Sequence, residues 1–274
     1  MKLSTAISPC PNDVFIFAGL ITGAVGRPGW EFAFEFHELE TLNLGTQRNR
    51  WDLSKISYAN FRRCASNHRL LDCGGALGRG CGPLLLSNGA AWDPRAEVLV
   101  PGEFTTANFL LDFFVSGSAE PLRKAFLSFD ELYRRLQGSD PCQGVVIHEM
   151  RFTYAADGLT LIRDLAAYWE EKTGHPIPLG AVAVRNSLEA EIPGSAGILE
   201  NLIRASLLWS RSHPEESMAL CREHSQSMSD AVLRSHIDLY VHDFTFDLGL
   251  DGKEAVAYFL ERQSAFLRSS STPV

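Results

Sequence analysis

The residue best suited to acid–base chemistry is a histidine at the end of an apolar run, Gly144-Val145-Val146-Ile147-His148. The three consecutive β-branched residues predict a strand buried on both faces, where polar and apolar residues need not alternate. His148, Glu149 and Arg151 should therefore lie at the carboxyl edge of a sheet, where α/β proteins bind ligands. An imidazole there suits proton transfer near neutral pH, although a lone histidine is more often structural.

Polar side chains also follow other predicted strands. Asn12 and Asp13 come after a strand predicted over residues 3–7, and Lys55 and Ser57 lie where a later strand ends. Because the carboxyl ends of parallel strands meet at one edge of a sheet, we expect these side chains to converge with the histidine on one cleft.

A further predicted strand, over residues 98–100, leads into Thr105-Thr106-Ala107-Asn108 and then an apolar helix. A helix N-terminus exposes unpaired N–H groups and a partial positive charge, so Thr106 and Ala107 are candidates for holding a carboxylate or a phosphate. An ordinary threonine cap explains the same pattern equally well.

A glycine-rich segment over residues 74–83 invites comparison with nucleotide-binding loops. A dinucleotide fingerprint starting at Gly78 would need glycine where Pro83 stands, and the Gly-Lys-Ser/Thr ending of a phosphate-binding loop is absent. We therefore interpret the segment as a tight crossing between two lobes. Arg79 within it is a candidate anion contact, with a structural role equally supported.

The sequence does not predict a metal site. No His-Glu-x-x-His motif and no Cys-x-x-Cys pair occurs. Four histidines on helical or turn segments lack the spacing of metal ligands and are expected on the surface or in caps: His213, His224, His236 and His242.

The order of predicted elements indicates an α/β fold. Strands alternate with helices as far as residue 184, and the helices predicted beyond it cover residues 195–211, 214–226, 229–239 and 253–267. This order predicts two lobes, each a mainly parallel sheet flanked by helices. We expect lobe 1 to comprise residues 1–94 and 179–274 and lobe 2 residues 95–178, with a ligand cleft between them.

Composition limits the class of partner. The 274 residues carry a formal net charge of −8 and no dense run of Lys or Arg, which argues against nucleic acid or an anionic membrane. The N-terminal residues do not resemble an export signal, so none is expected, and no stretch reaches the ~20 apolar residues of a membrane span. The six scattered cysteines are expected to be reduced thiols, so the sequence predicts a cytoplasmic protein.

Taken together, several segments resemble the 1,4-dihydroxy-6-naphthoate synthase family of the futalosine route to menaquinone. The resemblance extends in order over nearly the whole chain. The segments that carry it are Ser8-Pro9-Cys10-Pro11-Asn12-Asp13, Lys55-Ile56-Ser57-Tyr58, Gly74-Gly75-Ala76-Leu77-Gly78-Arg79-Gly80, Thr105-Thr106-Ala107, Ile147-His148-Glu149 and Arg151-Phe152-Thr153-Tyr154.

The resemblance implies a two-lobed fold of the type II periplasmic-binding-protein kind in a cytoplasmic lyase. The implied reaction converts cyclic dehypoxanthine futalosine, a small anionic substrate, to 1,4-dihydroxy-6-naphthoate without a metal or organic cofactor. The family's proton acceptor falls on His148. The implied substrate contacts are Lys55, Ile56, Ser57, Thr106 and Ala107, and the candidate supporting residues are Asn12, Asp13, Arg79 and Glu149.

Two residues depart from the family's pattern. Cys81 stands where a small aliphatic residue is expected, and Met150 where a small or polar one is expected. Two other functions stay open: a non-catalytic cytoplasmic binding protein of the same fold, and chorismate dehydratase of the same pathway. The sequence does not determine the oligomeric state.

Overall fold

The computed structural model describes residues 1–89, 91–116, 121–225 and 229–270. The described residues form eleven strands and thirteen helices. The strands are β1 (Lys2–Ile7), β2 (Glu31–Phe36), β3 (Leu53–Ser57), β4 (His68–Leu70), β5 (Ala76–Gly78), β6 (Leu84–Ser87), β7 (Val98–Val100), β8 (Lys124–Phe126), β9 (Gln143–Val146), β10 (Thr160–Asp164) and β11 (Ile177–Arg185).

The helices have the following bounds: α1 (Pro11–Ile21), α2 (Leu39–Gln47), α3 (Phe61–Cys64), α4 (Thr106–Phe114), α5 (Phe129–Leu136), α6 (Met150–Thr153), α7 (Leu165–Thr173), α8 (Asn186–Glu191), α9 (Ser195–Ser212), α10 (Pro214–His224), α11 (Asp230–Tyr240), α12 (Asp243–Phe246) and α13 (Gly249–Ser270). A single 3₁₀ turn, Tyr58–Asn60, follows β3. Gln226, the predicted end of the helix from residue 214, lies outside the described residues.

The strands form two sheets. The first sheet has six strands in the order β2-β1-β3-β11-β4, with β5 also paired to β11. The second sheet has five strands in the order β10-β6-β9-β7-β8. The predicted α/β architecture of two units is therefore present.

Both sheets are mixed, whereas the prediction was mainly parallel sheets. In the first sheet β1 runs parallel to β2 and β3, but β11 is antiparallel to β3, β4 and β5. In the second sheet β7 runs parallel to β8 and β9, but β6 is antiparallel to β9 and β10. The strands β6 and β11 are the first strands after each crossing between the sheets. Each therefore runs in the direction opposite to that of the strands paired with it.

The chain crosses to the second sheet between β5 and β6, inside the glycine-rich segment, and returns between β10 and β11. Strand pairing thus places β6 in the second sheet, although the predicted lobe 1 extended to residue 94. The lobe boundaries at 94/95 and 178/179 stay a prediction. The boundary at 94/95 does not coincide with the place where the chain crosses between the sheets.

One hydrophobic core joins the two sheets. It includes Ile56 and Ala181 from the first sheet, Leu85 from the second, and Phe109 and Phe259 from α4 and α13. A second core packs α1, α9, α10 and α11 against the other face of the first sheet. The two sheets are therefore connected by packed apolar side chains as well as by the crossing segments.

The strands and helix that carry the predicted site, β1, β3, β9 and α4, lie where the sequence predicted them. Several elements were not predicted: the helices α2, α3, α6, α8 and α12 and the strands β4, β5 and β10. The alternation of Phe with Ala or charge over residues 31–39 predicts a single strand, but β2 ends at Phe36 and α2 begins at Leu39. None of the helices in the described ranges combines the length and apolarity that a membrane crossing requires.

Candidate active site

A cavity with about 660 Å³ of empty space, including its opening to solvent, is walled by strands of the first sheet and by residues that follow β7 and β9 of the second sheet. We call it the first cavity, and its lining residues are Ser8, Asn12, Asp13, Leu39, Lys55, Ser57, Ala76, Cys81, Gly82, Pro83, Thr105, Thr106, Ala107, Ile147, His148, Leu179, Gly180, His236 and Tyr240. The structure therefore brings together residues that the sequence placed at four separate strand ends.

A buried ion pair forms part of the wall. Lys55 Nζ lies 2.5 Å from Asp13 Oδ1 and donates a hydrogen bond to the Gly74 carbonyl at 2.7 Å. Ser8 Oγ donates to Asp13 Oδ2 at 2.7 Å, and Asn12 Nδ2 donates to Asp13 Oδ1 at 2.9 Å. An ammonium group has three donors, so Lys55 keeps one N–H for a ligand.

Along β3 the side chains alternate between the cavity and the core, as a strand requires. Lys55 and Ser57 line the cavity, whereas the Ile56 side chain is completely buried in the core that joins the sheets. Asn43 holds Ser57 in place: Nδ2 donates to Ser57 Oγ at 3.2 Å, and Oδ1 accepts from the Ser57 N–H at 2.9 Å. Since Ser57 Oγ accepts in this contact, its own O–H can donate to a ligand.

The N-terminus of α4 points its first residues at the cavity. Thr105 caps the helix, because its Oγ1 accepts from the Asn108 N–H at 3.1 Å. Thr106 Oγ1 donates to the Leu179 carbonyl at 3.0 Å and so connects α4 to β11. The N–H groups of Thr106 and Ala107 are in the first turn, where a helix provides no acceptor, so they can bind an anion.

His148 lies just after β9 with a φ of +60°, a left-handed conformation that is uncommon for residues other than glycine. Its Nδ1 lies 3.1 Å from Cys10 Sγ, and the Phe129 ring packs edge-on at 5.2 Å between centroids. Burial lowers the pKa of His148 below its ordinary value, despite the opposing effect of Glu149 and Asp13. The imidazole is therefore neutral near pH 7 and can accept a proton.

Cys10 carries a protonated thiol beside this imidazole. Burial raises the pKa of Cys10 well above its ordinary value, and the carboxylates of Asp13 and Glu149 raise it further. The pair is therefore a neutral thiol against a neutral imidazole, unlike the thiolate–imidazolium pair of a cysteine nucleophile.

A second cavity of about 620 Å³ adjoins the first. The residues that line both are Ser8, Leu39, Ile147 and His148. The second cavity also contains Glu38, Asp130 and Glu149, and burial together with the nearby Asp130 raises the pKa of Glu38. His148 thus lies where an apolar cavity with hydrogen-bond donors meets an acidic one.

Not every predicted site residue reaches these cavities. The structure places Arg79 outside both: its side chain is 57% exposed and donates to the Gly174 carbonyl at 2.8 Å. Arg151 is a structural residue, since its guanidinium donates to the Gly82 carbonyl at 2.7 Å and to Asp164 at 2.5 Å. Among the candidate supporting residues, Asn12 and Asp13 line the first cavity and Glu149 the second.

Several cavity residues were not predicted from the sequence. His236 was expected on the surface or in a cap, and this was wrong: it is 1% exposed and lines the first cavity beside Tyr240. His224 lines the second cavity and stacks on Phe36 at 3.9 Å. No local motif marks either histidine, because helix packing alone brings them to the site. The described part of the chain contains no group of three or more His, Cys, Asp or Glu side chains placed to hold a metal ion.

Two mixed α/β sheets with a cavity between them define a fold of the periplasmic-binding-protein type. The alkanesulfonate-binding protein of Xanthomonas axonopodis pv. citri superposes with a TM-score of 0.69 at 11% identity, over 97% of this chain and 94% of that one, which shows the fold alone. A solved protein of Archaeoglobus fulgidus superposes with a TM-score of 0.88 at 26% identity, over 96% of this chain and 97% of that one.

The chain belongs to the menaquinone biosynthesis family, whose sequence profile matches residues 3–265. Two relatives carry the name 1,4-dihydroxy-6-naphthoate synthase. The relative from Thermus thermophilus is 38% identical over 98% of this chain and 97% of its own length, and the one from Streptomyces coelicolor is 40% identical over 96% and 93%. The resemblance seen in the sequence is thereby confirmed, and the protein is an enzyme of menaquinone synthesis.

Proposed function

We propose that this protein is a 1,4-dihydroxy-6-naphthoate synthase, a lyase that acts on cyclic dehypoxanthine futalosine. The observation that carries the proposal is the position of His148, a neutral base at the junction of two cavities. The two relatives with that name match this chain over nearly their whole length. The proposal includes the cytoplasmic, cofactor-free operation that the resemblance implies.

The first cavity supplies groups that suit an aromatic carboxylate. The N–H groups of Thr106 and Ala107 at the start of α4 would hold the carboxylate, and the small Ala107 side chain allows close approach. The Ser57 hydroxyl and the third N–H of Lys55 would donate to further oxygens of the ring system. Apolar walls such as Leu39 and Ile147 would contact the ring faces.

His148 would remove the acidic proton beside the ring carbonyl. In the tautomer that can do this through Nε2, Nδ1–H donates to Cys10 Sγ, so the thiol orients the base. The C–H electron pair moves onto the carbonyl oxygen and gives an enolate. As the carbonyl re-forms, the bond between the ring system and the sugar-derived fragment breaks, and the fragment leaves with the electron pair of that bond and takes the proton from His148. The second ring becomes aromatic, which makes the elimination favourable.

The second cavity suits the sugar-derived part of the substrate. Its carboxylates, Glu38, Asp130 and Glu149, are acceptors for hydroxyl groups. A substrate with an aromatic half and a polyhydroxylated half would thus have its reacting carbon beside His148, between the two cavities.

The proposal is tested by incubating the protein with cyclic dehypoxanthine futalosine and following products by chromatography and mass spectrometry. We expect 1,4-dihydroxy-6-naphthoate from the unmodified protein, and a rate lower by ~10²–10⁴-fold for His148→Asn, because a general base is worth about that factor. Asparagine tolerates a positive φ, so this variant should fold.

The matched control is His213→Asn, which changes an exposed histidine outside both cavities and should leave the rate unchanged. Tight binding of the substrate without product would favour the non-catalytic binding protein instead. Consumption of chorismate would favour chorismate dehydratase. A near-normal rate for His148→Asn would remove His148 from the mechanism.

A further inference from the structure

His236, on α11, is a buried polar side chain without a hydrogen-bond partner. It is 1% exposed and lines the first cavity together with His148. Neither Nδ1 nor Nε2 has a partner among the described residues. Buried polar groups in native proteins are almost always paired, so an unpaired one at a cavity wall indicates that a ligand atom completes it.

The ring is held in one place and in one charge state. Tyr240 packs against it at 4.6 Å and Phe152 at 6.3 Å between ring centroids. Burial lowers the pKa of His236 to about 3, and the nearby His148 contributes to the shift. At neutral pH the ring is therefore uncharged, with one N–H donor and one lone pair, neither of which the protein uses.

We propose that His236 contacts the substrate and donates its ring N–H to the carbonyl oxygen that gains negative charge in the reaction. The inference rests on the proposed function. When His148 takes the proton, the C–H bond breaks, and its electron pair makes that oxygen an enolate. His236 keeps its own proton throughout and stabilises the new charge as a fixed donor.

A neutral imidazole suits this role better than a charged one. It binds a neutral carbonyl only weakly in the ground state, and the hydrogen bond strengthens as charge develops on the oxygen. A site that excludes water also strengthens the interaction, because nothing else screens it. The donor should therefore act mainly on kcat.

His68, in β4, offers a matched control. Like His236 it is almost fully buried, at 2% exposed, but its ring lies against the backbone of Cys64 and Trp51. Burial lowers its pKa as well. It lines neither cavity, so the same substitution there removes the same kind of group away from the substrate.

The test compares the unmodified protein with His236→Leu, His236→Gln, His236→Asn and His68→Leu in steady-state turnover of cyclic dehypoxanthine futalosine. We expect kcat to fall by about 10²-fold in His236→Leu, the loss typical of removing one such donor. His236→Gln or His236→Asn should recover part of the lost kcat, because an amide nitrogen can replace a ring N–H as the donor. His68→Leu should keep the normal kcat.

Thermal unfolding distinguishes the loss of a substrate contact from a loss of protein stability. His236→Leu should unfold at the same or a higher temperature than the unmodified protein, since it removes an unpaired polar group. A normal kcat in His236→Leu, an increase in KM alone, or an equal loss in His68→Leu would overturn the inference and leave the proposed function standing. Absence of turnover by the unmodified protein would instead overturn the proposed function.

Discussion

His148 adopts a left-handed backbone conformation that costs non-glycine residues ~1–2 kcal/mol. Its neighbours hold it there: Cys10 contacts the ring from α1's N-terminal end, and Phe129 packs on it from α5. Backbone strain of this kind is concentrated at active sites, where it fixes a side chain in the geometry that the chemistry needs. The strain at His148 is consistent with its role as base in the proposed reaction.

The pH dependence of turnover should reflect the lowered pKa of His148. The base works only when neutral, so a lowered pKa keeps it active to a lower pH than the ordinary value of 6.5 allows. We expect kcat/KM to stay level as pH falls through 6.5 and to decrease only in more acidic solution. Measuring kcat/KM between pH 4.5 and 8 checks this, and a decrease centred above pH 6.5 would contradict it.

The site residues that directly follow strands could be predicted from the sequence, because the residue pattern that predicts a strand also shows where that strand ends. It could not predict the contact between Cys10 and His148, which are 138 residues apart, or the ion pair between Lys55 and Asp13, 42 residues apart. His236 reaches the cavity through the packing of α11, which no local pattern encodes. Such contacts depend on the tertiary fold alone.

At the scale of elements, the first cavity depends on a close approach between the start of β5 and β11. A Cβ atom on Gly75 would lie 2.8 Å from the carbonyl oxygen of Gly180, shorter than real Cβ contacts. Gly180 and Ala76 both line the cavity. Any side chain at position 75 must therefore push β11 away from β5 at the wall of the first cavity.

Gly75→Ala should lower the free energy of unfolding by ~1–3 kcal/mol, as overpacking does, and raise KM. The matched control is Gly197→Ala on α9, where a new Cβ meets nothing within 4 Å. That change should raise stability by about 0.5–1 kcal/mol, because alanine favours the helix. Urea denaturation of both variants provides the comparison, and equal effects would refute the packing argument.

Alternating strands and helices predicted the α/β class and most element positions. The mixed pairing of the sheets was not predictable, because strand direction depends on where the chain crosses between them. The missed helix α2 illustrates a local limit. The alternation of β2, with Phe at positions 32, 34 and 36, breaks at Glu38, but α2 has only three large apolar residues, at positions 39, 42 and 44, too few to show a helical period.

At the scale of the whole molecule, α13 connects the two sheets. Phe259 on this helix packs 5.0 Å from Phe109 on α4 and 5.5 Å from Trp169 on α7, measured between ring centroids. Gln263 Nε2 donates to the Ala59 carbonyl, next to β3 of the first sheet, at 2.8 Å. The helix therefore fixes the relative position of the sheets on the side away from α9–α11.

Phe259→Ala should destabilise the whole protein by ~3–5 kcal/mol, because it leaves a cavity among fully buried rings. Leu250→Ala on the same helix is the control: that side chain is 86% exposed and should change stability by less than ~0.5 kcal/mol. Chemical denaturation curves measure both. A small effect of Phe259→Ala would show that α13 does not join the sheets energetically.

The position of β11 has a consequence for synthesis on the ribosome. This strand pairs with β3, β4 and β5, yet it emerges only after every strand of the second sheet has been made. The strands of the second sheet, β6 to β10, are continuous in the chain, so this sheet can assemble first. During that time one edge of β3 is unpaired. Nascent chains that stop before β11 are then exposed to aggregation through that edge, and release of the final helix completes the molecule.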